Sequence, residues 1–105
     1  MCARYLITQN LPIDEGEKLA RIYVKIYKEF PSYVKVIGKS PYITTSDNQI
    51  TVITVIEIEN EITGEGLKDV YNYFNKFNKI EDHDWKIQTV LNRKEALRMM
   101  GQSID

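Results

Sequence analysis

The sequence predicts an α+β domain: a four-stranded antiparallel sheet, two helices on one face of it, and a short helix at the end. Three observations carry that expectation. Gln49 to Glu59 (QITVITVIEIE) is dominated by Ile and Val and holds no Gly or Pro; β-branched side chains are stiff at χ1 and suit a pleated surface better than a helix. Two other stretches, Leu19 to Phe30 and Leu67 to Phe77, instead repeat apolar residues at three- and four-residue steps, the spacing of amphipathic helices. Third, the elements run strand, helix, strand, strand, helix, strand, which short right-handed connections fold in few ways.

The Gln49 strand is the centre of the prediction. Side chains alternate between the faces of a strand, so Ile50, Val52, Thr54, Ile56 and Ile58 share one face. Thr51, Ile53, Val55, Glu57 and Glu59 share the other, apolar in its first half and acidic in its second. A strand apolar on both faces belongs in the middle of a sheet.

The remaining elements follow in order. Ala3 to Leu11 alternates Tyr5, Ile7 and Gln9 against Leu6, Thr8 and Asn10, and Pro12 ends this first strand because it has no N–H to give a ladder. Asp14 followed by Glu17 reads as a capping-box start. Leu19, Ile22, Tyr23, Ile26, Tyr27 and Phe30 then form the apolar face of the first helix, with Lys18, Arg21, Lys25 and Lys28 opposite as a solvated stripe, and Pro31 stops it. Tyr33 to Ile37 begins a second strand, with a bulge expected at Gly38 and an edge position imposed by Pro41. Ser46-Asp47-Asn48 tolerates positive φ and turns the chain from Tyr42–Thr45 into the Gln49 strand as a hairpin. Past Glu59, Leu67, Val70, Tyr71, Phe74 and Phe77 give a second helix with an aromatic face. Trp85 to Leu91 alternates as the fourth strand. Asn92 and Glu95 form a second capping box, opening a short helix closed by Gly101.

Composition bounds the function. The 105 residues make one domain, 1–105, able to bury roughly 65% of its unfolded surface. Hydrophobic content of 43% and charged content of 28% are ordinary for a globular chain. A formal net charge of −1 lacks the electrostatic footprint of a nucleic-acid binder. No run approaches the ~20 apolar residues of a membrane span, and the first residues carry no signal-peptide pattern. The single cysteine, Cys2, forms no internal disulfide and points to a reducing cytoplasm.

The element order and the central third strand fit the ferredoxin-like βαββαβ sandwich, which leaves one sheet face bare. An exposed face holding Ile53 and Val55 is resolved by pairing with a second copy about a two-fold axis. In this element order, in its length and in its ending of a strand followed by EALRMMG, the chain resembles the dimeric α+β barrel superfamily, which includes antibiotic-biosynthesis and haem-degrading monooxygenases. The resemblance implies a homodimer and a pocket between helices and sheet lined by Asn, Trp and His, for which this sequence offers Asn10, Trp85 and His83. The second helix, Leu67 to Phe77, has no histidine to ligate iron, so no haem and no other cofactor is expected.

Among candidate ligand-binding residues, Gln9 and Asn10 stand out, because one of these adjacent amides must face a buried side and find a partner there. Tyr23, Tyr27 and Tyr71 present phenols toward the sheet, whether as core or as pocket lining. Trp85 either stacks on a ligand or caps the core. His83 lies among Glu81, Asp82 and Asp84, whose charges favour its protonated form; it reads as a solvated turn or as a proton shuttle. A metal site from these consecutive residues is not expected. Three readings stay open: a small-molecule-binding module with no assignable reaction, a cofactor-free monooxygenase or isomerase-like enzyme using Asn10, Trp85 and a tyrosine, and a structural or partner-binding dimer with a filled core.

Overall fold

The computed structural model describes residues 2–103. Among the described residues, five strands form one antiparallel sheet, accompanied by three α-helices. Strand β1 (Cys2–Pro12) pairs along its whole length with β4 (Gln49–Glu59), from Cys2 opposite Glu59 to Pro12 opposite Gln49. On the other side of β1 lies β5 (Asp84–Thr89), from Tyr5 opposite Thr89 to Asn10 opposite Asp84. The free side of β4 carries two short strands, β3 (Tyr42–Ser46) against Gln49–Ile53 and β2 (Lys35–Val36) against Ile56 and Glu57. The two long strands are thus central, as the two-sided apolar pattern of Gln49–Glu59 requires.

The sheet has five strands rather than the expected four, because the second strand is interrupted. Gly38 takes φ +66, a left-handed conformation cheap only for glycine, and Pro41 has no N–H for the ladder. Between them the chain leaves β4, and the Ser40 side chain occupies the gap. Its hydroxyl donates to the Ile37 carbonyl at 2.9 Å and accepts from the Val55 N–H at 3.3 Å. The turn from β3 to β4 has two residues, Asp47 and Asn48, with φ of 51 and 64, the primed geometry that matches the twist of a hairpin.

Helices α1 (Gly16–Ile26) and α2 (Thr63–Asn75) cover one face. The Asp14–Glu17 capping box does not form: Ile13–Glu15 is a 3₁₀ turn and no side chain caps α1. α1 also ends earlier than Pro31, tightening into a second 3₁₀ turn at Tyr27–Glu29, because the residue before a proline is pushed out of helical geometry; Phe30 has ψ 136. α2 approaches β4 closely at Gly66, where an added Cβ would sit 2.6 Å from Ile58 Cγ2. α3 (Arg93–Met99) begins with the expected box: the Asn92 side chain accepts from the Glu95 N–H at 2.8 Å, and Glu95 accepts from the Asn92 N–H at 3.0 Å.

The core lies between the sheet and the first two helices. Ile7, Leu11, Ile56, Ile58, Val70 and Phe77 are essentially inaccessible. The outer face carries Thr8, Asn10, Thr51, Ile53, Val55 and Glu57, half-buried within the single chain, with Arg4 paired to Glu57 across the strands. Among the described residues no helix is long and apolar enough to cross a membrane.

Candidate functional site

The space between α1 and the sheet is not filled. A cavity of about 610 Å³ lies there, within the range that small-molecule sites occupy. Its floor is the inner face of β1 and β4: Gln9, Ile50, Val52 and Thr54. Register explains the polar pair on this apolar floor. Gln9 stands opposite Val52 and Ile7 opposite Thr54, so Gln9 and Thr54 are diagonal neighbours on one face. One wall is α1, presenting Leu19, Ala20, Tyr23, Val24 and, just past its end, Tyr27. Phe30, Tyr73, Phe74 and Phe77 make an aromatic wall, with Phe30 edge-on to Tyr73 at 5.0 Å. The interrupted edge closes the rim through Val36, Ser40, Pro41 and Ile43.

Gln9 is the buried polar centre of this site, only 4% exposed. Its Oε1 lies 3.0 Å from His83 Nε2. His83 sits behind the floor with its ring stacked on Phe77 at 6.0 Å, and its Nδ1 is buried with no hydrogen-bond partner. This corrects the expectation that Glu81, Asp82 and Asp84 favour the charged form of His83. Burial lowers its pKa from the ordinary value, and the opposing pull of Asp84 is the smaller influence. A neutral ring that donates from Nε2 to Gln9 leaves a lone pair on Nδ1, a smaller loss than an orphaned buried N–H.

The phenols divide by position. Tyr23 and Tyr27 stack on each other at 5.8 Å and flank the cavity mouth, both partly exposed. Tyr73 is buried in the aromatic wall and its pKa is pushed up to about 12, first by burial and then by Tyr23 and Glu29, so it is a neutral hydroxyl at physiological pH. Outside the cavity, Tyr33 donates to the Asp69 carboxylate, and that bond leads the causes that push its pKa up to about 12.

Of the residues expected to gather, Gln9, Tyr23 and Tyr27 line the cavity and His83 stands one hydrogen bond behind it. Asn10 faces the opposite side of the sheet, where its Oδ1 accepts from the Thr51 hydroxyl at 2.8 Å. Trp85 stands opposite Gln9 on β5 but does not line the cavity: its Nε1 donates to Asn75 Oδ1 at 3.2 Å, and its ring packs on Tyr71 at 4.9 Å and Phe74 at 5.4 Å, capping the core beside the site. Tyr71 flanks that cap and does not reach the cavity. Tyr73, Thr54 and Ser40 were not foreseen. The signal for Thr54 is its place on the inner face of Gln49–Glu59, where a hydroxyl stands among Ile and Val side chains. Among the described residues no three His, Cys, Asp or Glu side chains cluster to hold a metal ion.

No family model and no curated protein matches the chain. Solved structures do resemble it in fold. The de novo designed protein Foldit4 superposes with a TM-score of 0.62 at 14% identity, covering 89% of this chain and 100% of that one. An uncharacterised protein of Thermotoga maritima gives 0.51 at 11% identity, covering 87% of this chain and all of its own. A stretch of the aminopeptidase PepT from Bacillus cereus gives 0.50 at 11% identity, with 99% of this chain matched to 37% of that one. At such identities the likeness is one of fold, and it establishes a mixed α+β architecture.

Proposed function

We infer that this chain is a small-molecule-binding module, and that its site is the cavity between α1 and the sheet. The observation that carries this reading is a buried glutamine on the floor of a 610 Å³ hollow that is walled by aromatic rings. Buried amides need partners, and the hollow faces the part of Gln9 that His83 does not occupy. An enzyme built on Asn10, Trp85 and a tyrosine finds no support in the geometry, because Asn10 lies on the outer face of the sheet while Trp85 and Tyr71 pack against each other on the inner one.

The strand order, with β1 and β4 central and both helices on one face, supports reading the layout as a ferredoxin-like sandwich whose second strand is broken in two. The half-buried apolar residues of the outer face, Leu6, Ile53 and Val55, support pairing of two copies through that face, as in dimeric α+β barrels.

Thermal denaturation with a panel of small neutral aromatic and aliphatic compounds tests the binding reading. A ligand at 100 times its Kd stabilises by about 2.7 kcal/mol, a clear rise in Tm. Ala20→Trp supplies the control, since Ala20 is exposed on α1 and lines the cavity, so the larger ring plugs the hollow without entering the core. Ligand-dependent rises in the parent that vanish in the plugged variant support the site. Rises of equal size in both proteins place binding elsewhere.

A further inference from the structure

Resting on the reading of the cavity as a ligand site, we propose that its ligand is an uncharged lipophilic molecule with a hydrogen-bond acceptor, of carbonyl type, that meets Gln9 at the floor while its apolar body runs out to the rim. Charge decides the first part. Among the described residues no Asp, Glu, Lys, Arg or His contributes to the lining. A carboxylate, phosphate or ammonium drawn into this hollow would lose its water and gain no counter-ion, and buried charges require pairing.

The polarity of the donors decides the second part. His83 Nε2 occupies Gln9 Oε1 at 3.0 Å, which leaves the amide NH2 of Gln9 to point donors at whatever fills the space. Thr54 beside it and Tyr73 in the wall add hydroxyls, and Tyr73 keeps its proton. The Gln9 NH2 can only donate, and the two hydroxyls can donate beside it, so the floor suits an acceptor on the ligand. In this arrangement His83 is a positioning residue, because it fixes which end of the glutamine is free.

The rim decides the third part. Val24 is 69% exposed and Ile43 63% exposed, and they line opposite sides of the mouth, with Tyr23 and Tyr27 stacked between floor and solvent. An apolar rim continuous with an aromatic wall suits a flat hydrophobic body longer than the floor alone would hold.

Three naphthalene probes of similar size separate the possibilities: propionyl-dimethylaminonaphthalene, a neutral ketone; phenylnaphthylamine, neutral without a carbonyl; and anilinonaphthalene sulfonate, an anion. Fluorescence titration is expected to show the ketone binding about tenfold or more tighter than the sulfonate. Gln9→Leu should weaken the ketone about tenfold, the worth of one buried hydrogen bond to a carbonyl, and shift its emission to the blue, while phenylnaphthylamine keeps its affinity. Thr54→Val, nearly isosteric, should move the ketone in the same direction by less, and it serves if Gln9→Leu loses its fold by circular dichroism. Sulfonate binding as tight as the ketone, or an unchanged ketone affinity and emission in both variants, overturns the proposed ligand class while leaving the binding module standing. If none of the three probes binds the parent, the ligand class and the module fall together.

Discussion

Replacing Ser40 by alanine removes one oxygen from the place where the sheet is interrupted. In the parent the Ser40 hydroxyl donates to the Ile37 carbonyl at 2.9 Å and accepts from the Val55 N–H at 3.3 Å, standing in for the strand that β2 and β3 fail to complete. The variant loses the first bond, worth about 0.5–1.5 kcal/mol net, and leaves a donor of the central strand without an acceptor, a further cost of about 1–3 kcal/mol if fully buried. Ser40 is only half-buried, so water softens the second term, and a total of about 1–2 kcal/mol is expected. For a domain of this size that corresponds to a fall in Tm of roughly 4–8 °C. Hydrogen exchange locates the effect: the Val55 amide should lose protection while the amides of Leu6 and Ile7, in the β1 ladder, keep theirs. Ser40→Thr, which retains the hydroxyl, should recover most of the loss. Unchanged protection at Val55 together with an unchanged Tm would show that the plug contributes nothing, and that the interrupted edge is held by Pro41 and β3 alone.

Two further expectations concern the sheet and the histidine. Ile56 is fully inaccessible beneath the helices and Ile53 is half-buried on the outer face, so Ile56→Asp, an unpaired buried carboxylate costing several kcal/mol against a total of about 5–15, should unfold the chain. Ile53→Asp should leave far-UV circular dichroism near the parent and weaken self-association in sedimentation velocity; a parent that stays monomeric at high micromolar concentration contradicts pairing through that face. His83 has its pKa lowered by burial from an ordinary 6.5, so the unfolded chain takes up a proton before the folded one does. Stability is then complete above about pH 6.5 and declines as the pH falls below it, and Tm measured from pH 7 to 5 should fall less steeply in His83→Gln; parallel curves for the two proteins would mean that the ring is solvated.

How much of this was legible follows from where the information sits. Gln49–Glu59 announced a central strand because burial on both faces leaves its mark in composition, and the Asn92–Glu95 cap was readable because it closes within one turn. Asp47-Asn48 likewise carried its own backbone preference. The break between β2 and β3 was only half visible. Gly38 and Pro41 signalled an irregular edge, but whether the chain bulged or left the ladder depended on Ser40 reaching a backbone N–H fifteen residues away. Period-two alternation put one of Gln9 and Asn10 inside without saying which; the apolar company of Ile7 and Leu11 on the odd-numbered face settles it in favour of Gln9. On α2 the three- and four-residue steps that select Tyr71 beside Val70 and Phe74 fit Tyr73 as well, and it is Tyr73 that is buried while Tyr71 lies exposed against Trp85. His83 misled for a different reason. Its acidic neighbours are adjacent in the chain, whereas Phe77 and Gln9, which set its state, are adjacent only in space.

The most direct test of ligand binding in the α1–sheet cavity is a ¹⁵N–¹H correlation spectrum of the parent titrated with propionyl-dimethylaminonaphthalene. The side-chain NH2 pair of Gln9 should move most, together with the backbone amides of Val52, Thr54, Ala20 and Tyr23, while Asn10, Thr51 and Ile53 on the outer face stay in place. Shifts confined to the outer face, or a Gln9 NH2 pair that does not respond while other resonances do, would contradict the cavity as the binding site.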